Sequence, residues 1–226
     1  MTMVDFRFPH GMTHLVVGPS GSGKTHRTCE ILRWKNKIIK DGERIENIVF
    51  FYAAWQSLYD ELKTKGIVTK WVNKMPTNEE FVEQVNEFKD KGGSIVIIDD
   101  FMSEIGKDLD EIVRVSSRHF NTSTFILFQS LFPSHQLARQ ISLNAKFLHI
   151  HKNPRENAQI AYLARQIQPW SYKWMVQAFH KATEFPFSAF LIDLTQEREN
   201  KHRFRSNYLP HEAPMKLWGE KGFLAK

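Results

Sequence analysis

Cysteine is almost missing from this sequence. Cys29 is the only one in 226 residues, which excludes an intramolecular disulfide and a cysteine-based zinc site. A reducing compartment is the expected setting. Long apolar runs are missing too: the longest, such as Ile95 to Ile98 and Phe125 to Phe128, fall far short of the ~20 residues that cross a membrane. Met1 to Phe8 carries Asp5 and Arg7 where a signal peptide would carry an apolar core, so a soluble protein is expected. There is no internal repeat, low-complexity tract or credible linker. What is present is ordinary globular usage, 42% hydrophobic and 25% charged, which excludes the low-hydrophobicity signature of disorder. The expectation is one domain over residues 1–226, with residues 187–226 as a strand-containing C-terminal extension. Thirty-one basic against twenty-five acidic residues leave a net charge of +6, which permits a polyanionic partner without requiring one.

Strands and helices alternate along the chain. His14 to Val17 is a short apolar run ending in a glycine-rich loop, and a helix-compatible stretch follows from Lys24 through Trp34. Ile45 to Tyr52 reads as a second strand, with another helix opening near Ala53. Thr77 to Lys91 reads as a helix with a Thr77–Glu80 capping box and a stop at Gly92-Gly93. Ser94 to Ile98 and Thr124 to Phe128 are continuous apolar runs of the kind found in parallel strands covered on both faces. A helix ending near Arg118 separates them. Lys146 to His151 is a fifth strand, Arg155 to Ile167 a helix, and Phe187 to Leu194 a later strand. The alternation predicts an α/β domain whose ligand lies beyond the carboxyl ends of the strands.

Gly18-Pro19-Ser20-Gly21-Ser22-Gly23-Lys24-Thr25 satisfies G-x-x-x-x-G-K-[ST] in full, after a strand and at the start of a helix. The glycines let backbone N–H groups turn inward on phosphate oxygens, and the helix amino terminus adds partial positive charge. Lys24 would reach the β and γ phosphates, the Thr25 hydroxyl would ligate Mg²⁺, and His26 follows as a further nucleotide contact. The strand Ile95 to Ile98 ends in Asp99, expected to hold the metal, and Asp100, expected to polarise the attacking water. A second acid at that point favours hydrolysis over transfer to a bulky acceptor.

Gln129 ends the next strand, where a carboxamide can sense the γ-phosphate, although polar strand tips are common. Arg118 lies 11 residues earlier (129 − 118) and suits either a finger for a neighbouring subunit's phosphates or a helix C-terminus; Arg139, Arg155 and Arg165 are rivals. His149 and His151 alternate on one strand face and read as sheet residues sooner than metal ligands. Tyr52, Trp55, Trp170, Tyr172 and Trp174 could stack on bases, with core packing the commoner use. The segment Arg198, Lys201, His202, Arg203, Arg205 is basic but diluted by Glu197 and Glu199, so a solvated face is the default.

The ordered set of Gly18 to Thr25, Ile95 to Asp100, Arg118 before Gln129, Ile141 to Ala145, Lys152 to Arg155 and Leu163 to Ile167 resembles the FtsK/HerA-type genome-packaging ATPases. The likeness, from about Phe8 to Pro210, is greatest to the poxvirus-like branch that includes adintoviruses and polinton (Maverick) elements. It implies a RecA-like P-loop core of the additional-strand class, with a mainly parallel sheet and helices on both faces. It also implies ATP and Mg²⁺ as cofactors, a homo-oligomeric ring of five or six subunits, and pumping of double-stranded DNA without sequence preference. A capsid portal or vertex protein is the implied docking partner. The implied setting is an infected host cell, nuclear or cytoplasmic, or the virion. Arg118 matches the family's trans-acting arginine. Many relatives carry Asp-Glu where this chain has Asp99-Asp100, so Glu104 is a second candidate base. No amino-terminal membrane segment is legible, unlike in the bacterial chromosome pumps of the superfamily. A small-acceptor kinase and a slow ATP-dependent assembly switch are the rival readings, and no compact arginine-rich lid between Gln129 and Lys146 favours the kinase.

Overall fold

A computed structural model describes residues 4–101, 106–132, 136–155, 157–212, 214–220 and 222–224. In chain order the elements are β1 (Thr13–Val17), α1 (Lys24–Arg33), α2 (Lys35–Ile38), β2 (Asn47–Tyr52), α3 (Leu58–Thr64), β3 (Lys70–Val72), α4 (Asn78–Val85) and β4 (Ser94–Asp99). They continue with α5 (Lys107–Glu111), α6 (Ser117–His119), β5 (Thr122–Phe128), α7 (Gln136–Asn144), β6 (Phe147–His151), α8 (Asn157–Ile167) and α9 (Tyr172–Ala182). The chain ends in β7 (Ala189–Asp193), β8 (Phe204–Ser206), β9 (Lys216–Gly219) and β10 (Gly222–Leu224).

The strands form one sheet in the order β10-β9-β8-β7-β6-β1-β5-β4-β2-β3. From β3 to β6 neighbours run parallel, and from β6 to β10 every pairing is antiparallel. Successive residues of the central strands serve opposite faces, as the pleat requires. Leu15, Val17, Val96, Ile98, Ile126 and Phe128 pack under α4, α8 and α9, whereas Val16, Ile95, Ile97, Phe125 and Leu127 pack under α1 and α3. Burial on both faces is why these strands read as unbroken apolar runs.

Most sequence-derived boundaries shift by one or two residues. The capping box at α4 is formed: the Thr77 hydroxyl accepts from the Glu80 N–H at 3.2 Å, and the Thr77 N–H donates to the Glu80 carboxylate at 3.1 Å. The helix itself stops at Val85, and a single 3₁₀ turn carries the chain on to Phe88. The expectation of a solvated basic face at Arg198 to Arg205 is corrected. Asp193 at the end of β7 is fully buried and binds Arg198 at 2.8 Å and Arg205 at 2.6 Å, while Arg203 donates to backbone carbonyls. A buried carboxylate demands such partners, and it turns the arginines inward, while Lys201 stays exposed and pairs with Glu199.

Three buried histidines crowd the middle of the sheet. His14 Nδ1 lies 3.1 Å from His149 Nε2, and His149 Nδ1 lies 2.8 Å from the Tyr208 hydroxyl. Burial holds His14 and His151 down to about 3 and His149 well below its ordinary value. Each stays neutral in the folded chain while its unfolded counterpart protonates near pH 6.5. The stability they confer is therefore complete above pH 6.5 and is lost as pH falls toward their folded values. From pH 7.5 to 5.5 the three together should cost on the order of 4 kcal/mol of folding stability. Urea unfolding at the two pH values reads this directly; an unchanged midpoint would contradict neutral burial of the histidines.

Candidate active site

The order β1-β5-β4 brings the site together. Strand β5 lies between the strand that feeds the glycine loop and the strand that ends in acids, as the additional-strand class requires. The loop from Gly18 to Thr25 therefore faces both Asp99 and Gln129. Its entry is pinned by a hydrogen bond from the Gly18 N–H to the Phe128 carbonyl at 3.1 Å. Gly21 and Gly23 have φ of 75° and 97°, the left-handed region that only glycine enters freely. Gly18 is required for space: a Cβ there would lie 2.5 Å from the Ser22 hydroxyl and 2.8 Å from the His151 Cβ.

Lys24, the first residue of α1, donates to the Pro19 carbonyl at 3.0 Å, so its ammonium is folded back over the loop. Burial lowers its pKa, opposed by the attraction of Asp99 and Asp100. One residue on, the Thr25 hydroxyl donates to Asp99 Oδ2 at 3.1 Å. The same oxygen accepts from the Tyr59 hydroxyl at 2.7 Å. Asp99 is 2% exposed, and desolvation raises its pKa despite both hydrogen bonds and the nearby lysine. A carboxylate short of compensating positive charge, beside a hydroxyl on a helix start, is an oxygen donor pair suited to Mg²⁺, which takes few protein ligands and keeps its waters. Thr25 and Asp99 thus fit the ion that the motif implies.

Asp100 and Gln129 are the other pair. Gln129 Nε2 donates to Asp100 Oδ1 at 3.1 Å, and both residues are exposed at the strand tips. Asp100 has φ of 67°, a left-handed conformation uncommon outside glycine, which turns its carboxylate out of the strand line toward Gln129. The glutamine thus touches the acid at the neighbouring strand tip. Glu104, the second candidate base, lies outside the described residues.

Arg118 is elsewhere. It is exposed on α6, before β5 begins, whereas Gln129 follows the end of that seven-residue strand. At about 3.3 Å per residue the two sheet ends are ~20 Å apart, beyond the reach of any side chain. The helix leading to Arg118 widens into a π turn over Ile112–Ser116. There the buried Ser117 hydroxyl donates to the Ile112 carbonyl at 2.7 Å. Among the rivals, Arg165 lies over the Tyr172 ring at 4.5 Å, Arg155 is exposed just past β6, and the Arg139 side chain lies outside the described residues.

Sequence reasoning missed Tyr59. Fully buried on α3, it packs tilted or edge-on among Phe50, Tyr52, Trp55 and Trp71 and delivers its hydroxyl to Asp99. Nothing in the local pattern marks it, because the contact spans 40 residues. Tyr52 and Trp55 belong to this packing, and Trp174 packs edge-on against Phe204. Trp170, by contrast, is 97% exposed. His149 and His151 sit in the sheet, and among the described residues no three His, Cys, Asp or Glu side chains group as a metal site. No described helix is long and apolar enough to cross a membrane.

No family model and no curated protein matches this sequence. Solved structures do. The genome packaging NTPase B204 from Sulfolobus turreted icosahedral virus 2, solved in complex with AMPPCP, superposes with a TM-score of 0.52 at 14% identity. That alignment covers 83% of this chain and 95% of the other. The KaiC-like protein PH0186 from Pyrococcus horikoshii OT3 aligns over 97% of this chain and 91% of its own at 12% identity, with a TM-score of 0.47. Flagellar accessory protein FlaH from Methanocaldococcus jannaschii aligns over 63% and 72% at 14% identity and a TM-score of 0.41. This chain has the mixed α/β fold, with a mostly parallel central sheet, of RecA-like P-loop NTPases.

Proposed function

We propose that this protein is a Mg²⁺-dependent ATPase that works as a ring and drives double-stranded DNA into a viral or virus-like capsid. The observation that carries the reading is the division of labour along β5. Its carboxyl end brings Gln129 to Asp100, next to the Thr25–Asp99 pair, while its amino end leaves Arg118 exposed and out of reach of the same site. A phosphate cradle, metal ligands and acid at one end of β5, with Arg118 at the other, favour completion of the site by the next subunit. The fold likeness to a viral genome packaging NTPase captured with an ATP analogue supports the same reading.

In this reading Gly18 to His26 hold the triphosphate, Thr25 and Asp99 hold the metal, and Asp100 takes the proton of the attacking water. Gln129 positions that water or reports the γ-phosphate to the neighbouring strand. The ion, when bound, neutralises charge on the β and γ oxygens. Residues 1–226 are taken as one ATPase unit, because the strands after residue 187 continue the same sheet. The net charge of +6 suits a channel that tracks phosphates without reading bases. The poxvirus-like assignment and the capsid vertex partner rest on the sequence resemblance.

The test is ATP turnover with and without duplex DNA of mixed sequence. Stimulation of several-fold by duplex, falling steeply as salt is raised from 50 to 200 mM, is the expected result. A rate indifferent to DNA would remove the translocase and leave a plain ATPase. A phosphorylated small acceptor would replace it with a kinase.

A further inference from the structure

Phe187 lies two residues before Ala189, the first residue of β7. It has φ of 62°, rare for a bulky residue, and the residue is 59% exposed. The backbone is held there. Arg27, buried on α1, donates to the Phe187 carbonyl at 3.1 Å while its guanidinium pairs with Glu212 at 2.6 Å and lies over the Tyr208 ring. Strain maintained by so many partners points to a use for the side chain.

The surroundings indicate which use. The Phe187 ring lies against Gly23, where a Cβ would come within 2.9 Å of it, so ring and phosphate loop are in contact. The ring of His26, exposed on the first turn of α1, is 6.4 Å away centroid to centroid, tilted by 35°. That separation falls short of the ~7 Å, about 3.5 Å on each face, that a planar ring needs between two others, so the exposed His26 ring turns aside to admit one. Direction along the site agrees. Asp99 and Gln129 lie on the β5–β4 side of the loop, which fixes the γ-phosphate end. Phe187 lies on the other side: β7 pairs with β6 so that Ala189 meets His151, beside Gly18. A triphosphate laid across the start of α1 from the acids therefore sends its nucleoside toward Phe187.

We propose that Phe187, with His26 opposite, is the platform on which the base of a purine nucleoside triphosphate stacks. The proposal rests on the nucleotide reading of the glycine loop. Selection by stacking follows ring area, so purines bind more tightly than pyrimidines.

The experiment measures binding of ATP, CTP and inorganic tripolyphosphate to the full chain with Mg²⁺, for the unaltered protein, Phe187→Gly and Phe187→Trp. Glycine removes the ring and relieves the left-handed backbone, so the fold is kept. Expected are weaker ATP binding by ten-fold or more in Phe187→Gly, near-equal ATP and CTP in that variant, unchanged tripolyphosphate, and retained purine preference in Phe187→Trp. Unaltered ATP affinity in Phe187→Gly, or an equal loss of ATP and tripolyphosphate, overturns the platform. Failure of the unaltered protein to bind either ATP or tripolyphosphate overturns instead the nucleotide reading beneath it.

Discussion

Replacing Lys24 with alanine is expected to abolish ATP hydrolysis while leaving the fold intact. Lys24 is the only side-chain cation in the stretch from Gly18 to Thr25, and it stands at the start of α1, where backbone N–H groups already face the phosphate position. Helix dipole and amides can hold a phosphate, but they cannot follow the charge that moves onto the γ oxygens as the bond to the leaving group breaks. Losing one preorganised donor at such a point costs on the order of 10²- to 10³-fold in rate, and a full charge costs more. The structural cost is small, since the ammonium makes one hydrogen bond, to the Pro19 carbonyl, and its partial burial already lowers its pKa. Lys24→Ala should thus melt within a few degrees of the unaltered protein and show no phosphate release above background. Turnover near the original rate would remove Lys24, and the loop with it, from the chemistry. Lys24→Arg is expected to fail as well, because the planar guanidinium does not reproduce a compact ammonium.

What the sequence made legible and what it hid divide along one physical line. Features fixed by neighbours in the chain are readable. Gly21 and Gly23 announce left-handed turns, Thr77 and Glu80 announce a cap, and four or more apolar residues in a row before Asp99 announce a strand buried on both faces. Features fixed by distant partners are not. Tyr59 acquires its role only when α3 packs beside β4, and Phe187 only when the turn before β7 meets the glycine loop. The basic segment from Arg198 to Arg205 misleads for the same reason: its charge count is that of a solvated face until Asp193 is placed in its midst. Strands β3, β8 and β10 have three residues each, too short for a periodic signal, and are specified by the edge they extend. Helix α9 is a different case. Met175, Ala178, Phe179 and Ala182 recur at helical spacing, but the aromatics Trp170, Tyr172 and Trp174 around its start also admit a stacking surface, the less common use.

Arg118→Ala is expected to lower ATP turnover by on the order of 10³-fold, and mixing it with Asp100→Asn should bring part of the activity back. The size follows from the role. An arginine that neutralises charge on a transferring phosphoryl group contributes ~4 kcal/mol at 10³-fold, and its planar fork is not reproduced by the uncharged Gln129 at the opposite tip of β5. The rescue follows from geometry. Arg118 is ~20 Å along the sheet from Gln129 in its own chain, so its partner is another subunit's site, and a ring built from head-to-tail contacts presents it to one. In a mixed ring, a subunit lacking Arg118 keeps its Asp100. If its neighbour is the Asp100→Asn chain, that neighbour supplies the arginine and the interface between them is whole. Random assembly at equal amounts makes about a quarter of interfaces whole, so up to about a quarter of the original rate returns if sites fire independently. A strictly coordinated ring returns less, yet still more than either variant alone. Mixtures no more active than the separate variants would show that Arg118 acts within its own chain, through the Ser117 turn that supports it. Arg155 would then be the next residue to replace, since it stands exposed beyond β6 at the loop's own end of the sheet.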